Sequence, residues 1–260
     1  MEAAESRTAG KILELENLRK VFGGVVAVDG VSAGIESGSV TSLIGPNGAG
    51  KTTVFNMITG FLTPTAGTMV YAGRPIKRLK PHHVAFLGVA RTFQNVRLFF
   101  RMSVLENVMV GRHLRSRTGM IASACLPPVL RREEKRIRRE AGEWLDFVGL
   151  GEQGKAAAGS LPLGSQRMLE IARALALEPD LLLLDEPAAG LNSRETLAMG
   201  EMIEKIRRRG ITVVLVEHDM ELVMDISDRV LVINFGRIIG DGTPEEVQDN
   251  PDVISAYLGE

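Results

Sequence analysis

A nine-residue segment that follows a short apolar run carries the residue types needed to hold a chain of phosphates. It reads Gly45, Pro46, Asn47, Gly48, Ala49, Gly50, Lys51, Thr52 and Thr53, and it fits the pattern G-x-x-x-x-G-K-[ST]. Glycines let successive backbone N–H groups turn toward phosphate oxygens, a lysine neutralises the β- and γ-phosphate charge, and a threonine hydroxyl can ligate Mg²⁺. The segment therefore predicts a phosphate-binding loop for a nucleoside triphosphate. The alternative is a glycine-rich turn without a ligand.

Two adjacent carboxylates, Asp185 and Glu186, follow a run of four leucines farther along the chain. Ligands of open α/β sheets bind at the carboxyl ends of the strands, where we expect this pair. Asp185 could hold the Mg²⁺ that bridges the β- and γ-phosphates, while Glu186 could orient and polarise the attacking water. Carboxylates at a strand end also serve as helix caps or solvated turn residues. Because a phosphate loop is present in the same chain, the pattern favours a catalytic pair.

The residues around the phosphate loop predict a strand, the loop and then a helix. The helix is expected over residues 52–59, with Gly60 ending its pattern. The strands expected in this half of the chain cover residues 13–18, 25–28, 31–35, 40–44 and 68–71. Glycine-containing turns separate them, one at Asp29 and Gly30. The first half therefore predicts a β-rich entrance to the nucleotide site.

From residue 161 onward, helices and fully apolar strands alternate. The predicted helices cover residues 165–177, 193–209 and 220–226, and the predicted strands cover 181–184 and 212–216, followed by a hairpin of 229–234 and 237–241. This alternation indicates a parallel sheet covered on both faces. The predicted fold class is α/β: a P-loop NTPase core with a mostly parallel sheet, an N-terminal antiparallel β-subdomain and an inserted α-helical subdomain.

The inserted part, residues 97–159, shows no convincing strand. One amphipathic helix is predicted from the apolar spacing of Ile137, Ala141, Trp144, Leu145 and Val148. A densely charged run precedes them, in which Glu134 with Arg138 and Arg136 with Glu140 have the spacing of i,i+4 ion pairs. This interleaving of acids and bases favours a solvated helix face over a nucleic-acid site.

The composition bounds the possible functions. The chain has 260 residues, of which 45% are hydrophobic and 24% charged, and its net charge is −1. This balance recommends neither nucleic acid nor anionic lipid as a partner. The single Cys125 excludes an intrachain disulfide and a cysteine-cluster metal site. No run of uncharged apolar residues is long enough to span a bilayer, so we expect any membrane role to come through partner chains.

Three further segments carry polar residues at informative positions. They are Arg91-Thr92-Phe93-Gln94-Asn95, Leu161-Pro162-Leu163-Gly164-Ser165-Gln166 and Glu217-His218-Asp219. Their order and approximate spacing resemble those of ATP-binding cassette (ABC) ATPases, and the resemblance covers essentially the whole chain. It implies ATP and Mg²⁺ as ligands, with Lys51, Glu186, His218 and Gln94 acting on the reacting phosphate. It also implies Thr52, Gln94 and Asp185 as metal ligands, and Phe22 as the aromatic residue that stacks on adenine.

The resemblance implies one ABC ATPase domain over residues 1–260. Within it, residues 10–94 and 161–260 would form the nucleotide-binding α/β core. Residues 95–160 would form the helical subdomain, with the family's signature segment at its end.

This signature, usually written L-S-G-G-Q, reads Leu161-Pro162-Leu163-Gly164-Ser165 here. Pro162 replaces the serine whose hydroxyl reaches the γ-phosphate bound to the opposite subunit, and Ser165 replaces the glutamine. A helix N-terminus keeps its N–H groups and positive dipole end whatever the side chain. We therefore expect Gly164 and Ser165 to contact the nucleotide of a second subunit, with Ser165 supplying part of the missing hydrogen bonding. A degenerate half-site is the alternative.

Three features resemble the importers of branched-chain, or hydrophobic, amino acids: residues 188–192 (Ala-Ala-Gly-Leu-Asn), the insert between His113 and Arg139, and the ending at residues 250–260. The resemblance implies a second ABC ATPase subunit, identical or different, and two transmembrane permease subunits as partners. A periplasmic or extracellular solute-binding protein would act indirectly, and the chain would lie peripherally at the cytoplasmic face of the cell membrane. No nucleic acid is implied. Importers of urea and short amides share these features.

Phe99, Phe100 and Met102 are either contacts for a permease helix or part of the subdomain core. Two other functional classes are weighed: a non-transport ABC ATPase of DNA repair or translation, and a P-loop kinase. The former usually carries a long coiled-coil insertion or two cassettes. The latter needs an acceptor-substrate lid and has no signature helix.

Overall fold

The computed structural model describes residues 10–113 and 127–258. Its strands are β1 (Lys11–Phe22), β2 (Val25–Glu36), β3 (Val40–Ile44), β4 (Ala66–Tyr71), β5 (Arg74–Pro75), β6 (Val89–Arg91), β7 (Leu181–Asp185), β8 (Thr212–Val216), β9 (Arg229–Asn234) and β10 (Arg237–Gly242). Its α-helices are α1 (Lys51–Ile58), α2 (Pro81–Phe86), α3 (Val104–Arg112), α4 (Pro127–Phe147), α5 (Leu163–Leu175), α6 (Ser193–Arg208), α7 (Met220–Ile226), α8 (Pro244–Gln248) and α9 (Pro251–Leu258). Short 3₁₀ turns lie at Gly151–Gln153 and Ala158–Ser160.

A six-stranded sheet forms the centre, in the order β10, β9, β3, β8, β7, β6. The pairs from β9 to β6 are all parallel, and β10 pairs antiparallel with β9. Every residue of β3, β7 and β8 is buried, as expected of parallel strands covered on both faces. Because the carboxyl ends of these three strands share one sheet edge, the phosphate loop, the carboxylate pair and His218 meet there. The predicted α/β class is confirmed.

The side chains of β7 alternate between two hydrophobic cores. Leu182 and Leu184 pack into the core that contains the helical residues of α3, α4 and α5. Leu181 and Leu183 pack into the core shared with the antiparallel sheet. This period of two places the central sheet between the two layers.

The second sheet is antiparallel, in the order β2, β1, β4, β5. Its first two strands are longer than the sequence predicts, because the turn expected at Asp29 and Gly30 is a bulge within β2. Leu18 pairs with Val31 while the next residue, Arg19, pairs with Asp29. Gly30 is thus the extra residue, and its φ of 76° is one that glycine adopts without strain.

Three helices, α3, α4 and α5, lie in the sequence between the two halves of the core. No strand forms within the described residues of 97–159, apart from an isolated bridge between Ser103 and Ala157. Helix α5 begins at Leu163 rather than at Ser165, because Pro162 serves as its N-cap in an extended conformation. Among the helices of the described ranges, none combines the length and apolarity needed to cross a bilayer.

The charged face of α4 is paired differently from the prediction. Arg136 pairs with Glu133 one turn earlier, and Glu140 accepts a hydrogen bond from Arg112 of α3 at 2.6 Å. The expected pair of Arg136 with Glu140 is therefore wrong, because the buried Arg112 of the neighbouring helix is the better partner for Glu140. The expected pair of Glu134 with Arg138 is also wrong, since both side chains are exposed and do not pair with each other. Part of the predicted insert, residues 114–126 with Cys125, lies outside the described residues.

Candidate nucleotide-binding site

The phosphate loop connects β3 to α1 and takes a conformation that requires glycine. At Gly45, φ is 149°, and an added Cβ would lie 2.0 Å from the carbonyl oxygen of Ile233 in β9. At Gly48, φ is 80°, yet an added Cβ would meet nothing within 4 Å. The loop is therefore pressed against the sheet on one side and open on the other, as a cradle for phosphate requires.

Lys51 is the first residue of α1 and is only 6% exposed. Its Nζ donates hydrogen bonds to the carbonyl oxygens of Gly45 at 2.6 Å and Pro46 at 2.9 Å. Burial lowers the pKa of Lys51, and the negative charges of Glu186 and Asp185 partly oppose this effect. The first turn of α1 contains no acidic residue, so its N–H groups and dipole present an unopposed positive end at the loop.

Asp185 ends β7 and is 4% exposed. Its Oδ2 accepts a hydrogen bond from Arg91 of β6 at 2.7 Å. The same guanidinium donates to Asn56 Oδ1 at 2.7 Å and contacts Thr59 Oγ1 at 3.3 Å, both on the phosphate-loop side of the site. Asp185 is thus fixed by a buried ion pair and does not serve as a helix cap.

Glu186 lies at the centre of a cluster with two other residues that the sequence analysis singles out. His218 Nε2 is 2.8 Å from its Oε1, and Gln94 Nε2 donates to its Oε2 at 2.8 Å. Glu186 has a φ of 50°, a left-handed value that is costly for a residue with a side chain and typical of functional sites. Its backbone N–H donates to the carbonyl oxygen of Val216 at 2.9 Å. In the loop after β8 the helix cap is Asp219, which leaves the His218 ring available to Glu186.

The oxygen donors suit Mg²⁺. The Thr52 hydroxyl is exposed at the start of α1, and the Asp185 carboxylate faces the same sheet edge, so hard oxygen ligands stand beside the phosphate cradle. Among the described residues, no cluster of three or more His, Cys, Asp or Glu side chains forms a self-sufficient metal site. A metal here would need phosphate oxygens to complete its coordination.

Two predicted elements lie apart from this cluster. Phe22 ends β1, is 43% exposed, and has the Lys20 ammonium 5.0 Å from its ring centre. Gly164 and Ser165 lie in the first turn of α5, where an added Cβ on Gly164 would come 2.7 Å from Glu195 Oε1 of α6. The described contacts thus join the signature segment to the start of α6 and not to the phosphate loop of the same chain.

The sequence analysis assigns no role to three residues that lie beside the site. Arg91 is a lone cation at the end of an apolar strand, and Glu217 is a buried acid directly after one. Each was visible as a charge in an apolar context, which is a signal for a paired buried group. Burial raises the pKa of the Tyr257 hydroxyl of α9, and the backbone of Gly45 nearby partly opposes this effect. Nothing local in the sequence signals this contact between distant segments.

Comparisons with known proteins place this geometry in a family. Residues 28–189 match the family model of ABC transporters, and residues 237–260 match that of branched-chain amino acid ATP-binding cassette transporters. The high-affinity branched-chain amino acid transport ATP-binding protein BraF of Pseudomonas aeruginosa is 50% identical over 250 residues, which are 96% of this chain and 98% of BraF.

Two solved structures are similar. MJ1267, an ATP-binding cassette of an ABC transporter in its ADP conformation, is 32% identical with a TM-score of 0.85, over 97% of this chain and 100% of that one. MJ0796, a bacterial ABC transporter cassette solved as a dimer, is 25% identical with a TM-score of 0.76, over 89% of this chain and 98% of that one. The chain therefore belongs to the ABC transporter family and, within it, to the branched-chain amino acid ATP-binding cassettes.

Proposed function

We propose that this chain is the ATP-hydrolysing subunit that energises import of branched-chain or other hydrophobic amino acids through a membrane permease. The observation that carries the proposal is the cluster at one sheet edge, where the phosphate loop, Asp185 and the contacts of Glu186 with Gln94 and His218 meet. BraF, similar over nearly its whole length, supports the cargo.

In the proposed reaction, water attacks the γ-phosphorus, the bond to the bridging β–γ oxygen breaks, and ADP leaves with the electron pair. Glu186 accepts the proton of the water, and Lys51 neutralises phosphate charge. Thr52 and Asp185, with Gln94 as the third candidate, would hold Mg²⁺, which when bound offsets the charge of the β- and γ-phosphates. Gln94 and His218 contact the two carboxylate oxygens of Glu186. Gln94 thereby connects this base to the segment that leads into the helical subdomain, and His218 connects it to the loop after β8.

We also propose that the complete site needs a second cassette. Helix α5 has no side-chain N-cap, and its first internal hydrogen bond runs from Gln166 N–H to Pro162 O at 2.9 Å. The earlier N–H groups, including those of Gly164 and Ser165, are thus available to a phosphate on a partner subunit. Phe22, exposed at the end of β1, is the proposed adenine contact. The dimeric MJ0796 supports this arrangement.

The permease contact is proposed at the segment that follows Gln94. Phe99 and Phe100 are each 49% exposed, although both are large apolar side chains. Phe99 borders a groove of about 250 Å³ whose lining also includes Val110 and Arg173. Such exposure favours a partner helix over a role in the subdomain core. The subunit would then lie peripherally at the cytoplasmic face of the membrane, below two permease subunits that receive solute from a binding protein.

Glu186→Gln tests the chemistry. A glutamine keeps the shape of the side chain but removes the base, so ATPase turnover should fall by about 10²-fold or more. MgATP should still bind, and the variant should accumulate as a nucleotide-bound dimer in size-exclusion chromatography. Glu201→Gln, the same change at an exposed position of α6, is the matched control. Undiminished turnover in Glu186→Gln would rule out Glu186 as the base.

Uptake by cells lacking the gene tests the cargo. Loss of labelled leucine uptake, restored by the wild-type chain and not by Glu186→Gln, is the expected result. Loss of urea or short-amide uptake with leucine uptake intact would contradict the cargo and leave the ATPase assignment standing. Intact uptake of all these solutes would contradict the transport role.

A further inference from the structure

A buried carboxylate that the proposed reaction does not use lies between the loop that follows β7 and the loop that follows β8. Glu217 follows β8 and is 4% exposed. Its Oε1 accepts the backbone N–H of Ala188 at 2.7 Å, and its Oε2 accepts the backbone N–H of His218 at 3.0 Å. Two N–H groups, one from each of two separate loops, therefore converge on one side chain.

The two loops joined in this way are those that carry the base and the histidine. Ala188 is two residues beyond Glu186, and His218 directly follows Glu217. Apart from this side chain, the backbone bond from Glu186 N–H to Val216 O joins the same two segments. The loop after β7 continues through Ala189, whose carbonyl oxygen accepts a hydrogen bond from Arg167 of α5 at 3.3 Å. Glu217 therefore lies where the positions of Glu186, His218 and α5 depend on one another.

We infer that Glu217 is a positioning residue for ATP hydrolysis, which holds the Glu186 loop and the His218 loop in the register that brings their side chains to 2.8 Å. The inference rests on the proposed function.

An acceptor-only group is required at this position. A carboxylate offers two oxygens and no proton, so it can satisfy both converging N–H groups. A glutamine would offer one oxygen and turn an NH₂ group toward another donor, which leaves at least one buried N–H unsatisfied. The loops would relieve this by moving apart, and the contact between Glu186 and His218 would be lost. Burial raises the pKa of Glu217 above its ordinary value, and the converging N–H groups partly oppose this effect.

The test uses the full chain with Glu217→Gln and Glu217→Asp. A displacement of about 1 Å in a catalytic group costs about 10²-fold in rate, so kcat for ATP should fall by about 10²-fold in Glu217→Gln. KM for ATP should stay within about twofold, since Glu217 contacts neither Lys51 nor the phosphate loop in the described structure. Glu217→Asp keeps the charge but is one methylene too short to reach Ala188, so it should recover little activity. Glu221→Gln, an exposed glutamate on α7, is the matched control and should match the wild type.

Nuclear magnetic resonance of ¹⁵N-histidine supplies a readout that does not depend on activity. The chain contains four histidines, His82, His83, His113 and His218, of which we expect only His218 to change its ring signals in Glu217→Gln. Selective displacement of the His218 signals together with a fall in kcat at constant KM supports the inference.

Three results would overturn the inference. The first is a kcat of Glu217→Gln within twofold of the wild type, and the second is full activity in Glu217→Asp. The third is a fall in kcat together with a changed KM and altered signals of all four histidines, which indicates a structural role only. If Glu217→Gln does not fold, Glu217→Asp decides by the same criteria. A wild-type chain without ATPase activity, even together with its second cassette and permease, would instead refute the proposed function. The His218 signals would still test whether Glu217 positions the His218 loop.

Discussion

Arg91→Met should destabilise the protein by about 3 to 5 kcal/mol, because it leaves the buried Asp185 carboxylate without its partner. The side chains of Arg91 and Asp185 are 6% and 5% exposed, and their N–O distance is 2.7 Å. The Arg91 guanidinium also lies 5.5 Å from the Phe55 ring centre and 5.2 Å from that of Phe93, so solvent does not reach the pair from either side. Methionine keeps most of the apolar stem and removes the charge.

Urea unfolding of the nucleotide-free chain, with a double-mutant cycle, measures this effect. Asp185→Asn alone leaves Arg91 buried and unpaired, whereas Arg91→Met with Asp185→Asn removes both charges. The double variant should therefore be more stable than the sum of the two single changes by about 1 to 3 kcal/mol. Arg139→Met is the control, since Arg139 and its partner Glu143 are 70% and 67% exposed, and we expect a change within about 0.5 kcal/mol. Additivity within about 0.5 kcal/mol, or a cost of Arg91→Met below about 1 kcal/mol, would refute the reasoning.

Two further predictions concern the helices. Gly111→Ala should lower the free energy of unfolding by about 1 to 3 kcal/mol in chemical denaturation, because its Cβ would lie 2.2 Å from the carbonyl oxygen of Arg173. Gly142→Ala, whose Cβ meets nothing within 4 Å, should instead stabilise α4 by about 0.5 to 1 kcal/mol. Equal effects of the two changes would contradict this prediction. Hydrogen bonding from Arg207 lowers the pKa of Glu204 from 4.5 to about 2, so its stabilising contribution is present above pH 4.5 and is lost as the pH falls toward 2. Unfolding curves of Glu204→Gln and the wild type should therefore differ at pH 7 and converge near pH 2; a difference that does not depend on pH would contradict this.

The sequence predicts what is decided locally. The strands at residues 40–44 and 212–216 and the helix at 220–226 match the structure, because an uninterrupted apolar run or an amphipathic turn is enough to specify them. The bulge at Gly30 was predicted as a turn, since only pairing with β1 shows that the strand continues. The start of α5 was misplaced because serine is a common N-cap and proline here takes that place.

The same division holds for the candidate site. Glycines and Lys51 are recognisable from spacing, because neighbouring residues build the phosphate cradle. The Arg91 to Asp185 pair and the Glu217 contacts join residues far apart in the chain, and only the order of strands in the sheet brings them together. The sequence therefore predicts the residues proposed to contact phosphate better than the residues that hold them in place.

The alternation of side chains along β7 has a mechanical consequence. One strand of five residues packs against the helical layer through Leu182 and Leu184 and against the antiparallel layer through Leu181 and Leu183. It ends at Asp185 and is followed by Glu186. A displacement of either layer is thus transmitted through rigid, close-packed leucines to the same two carboxylates. Asp185 and Glu186, the proposed metal ligand and the proposed base, would therefore respond together to a displacement of either layer.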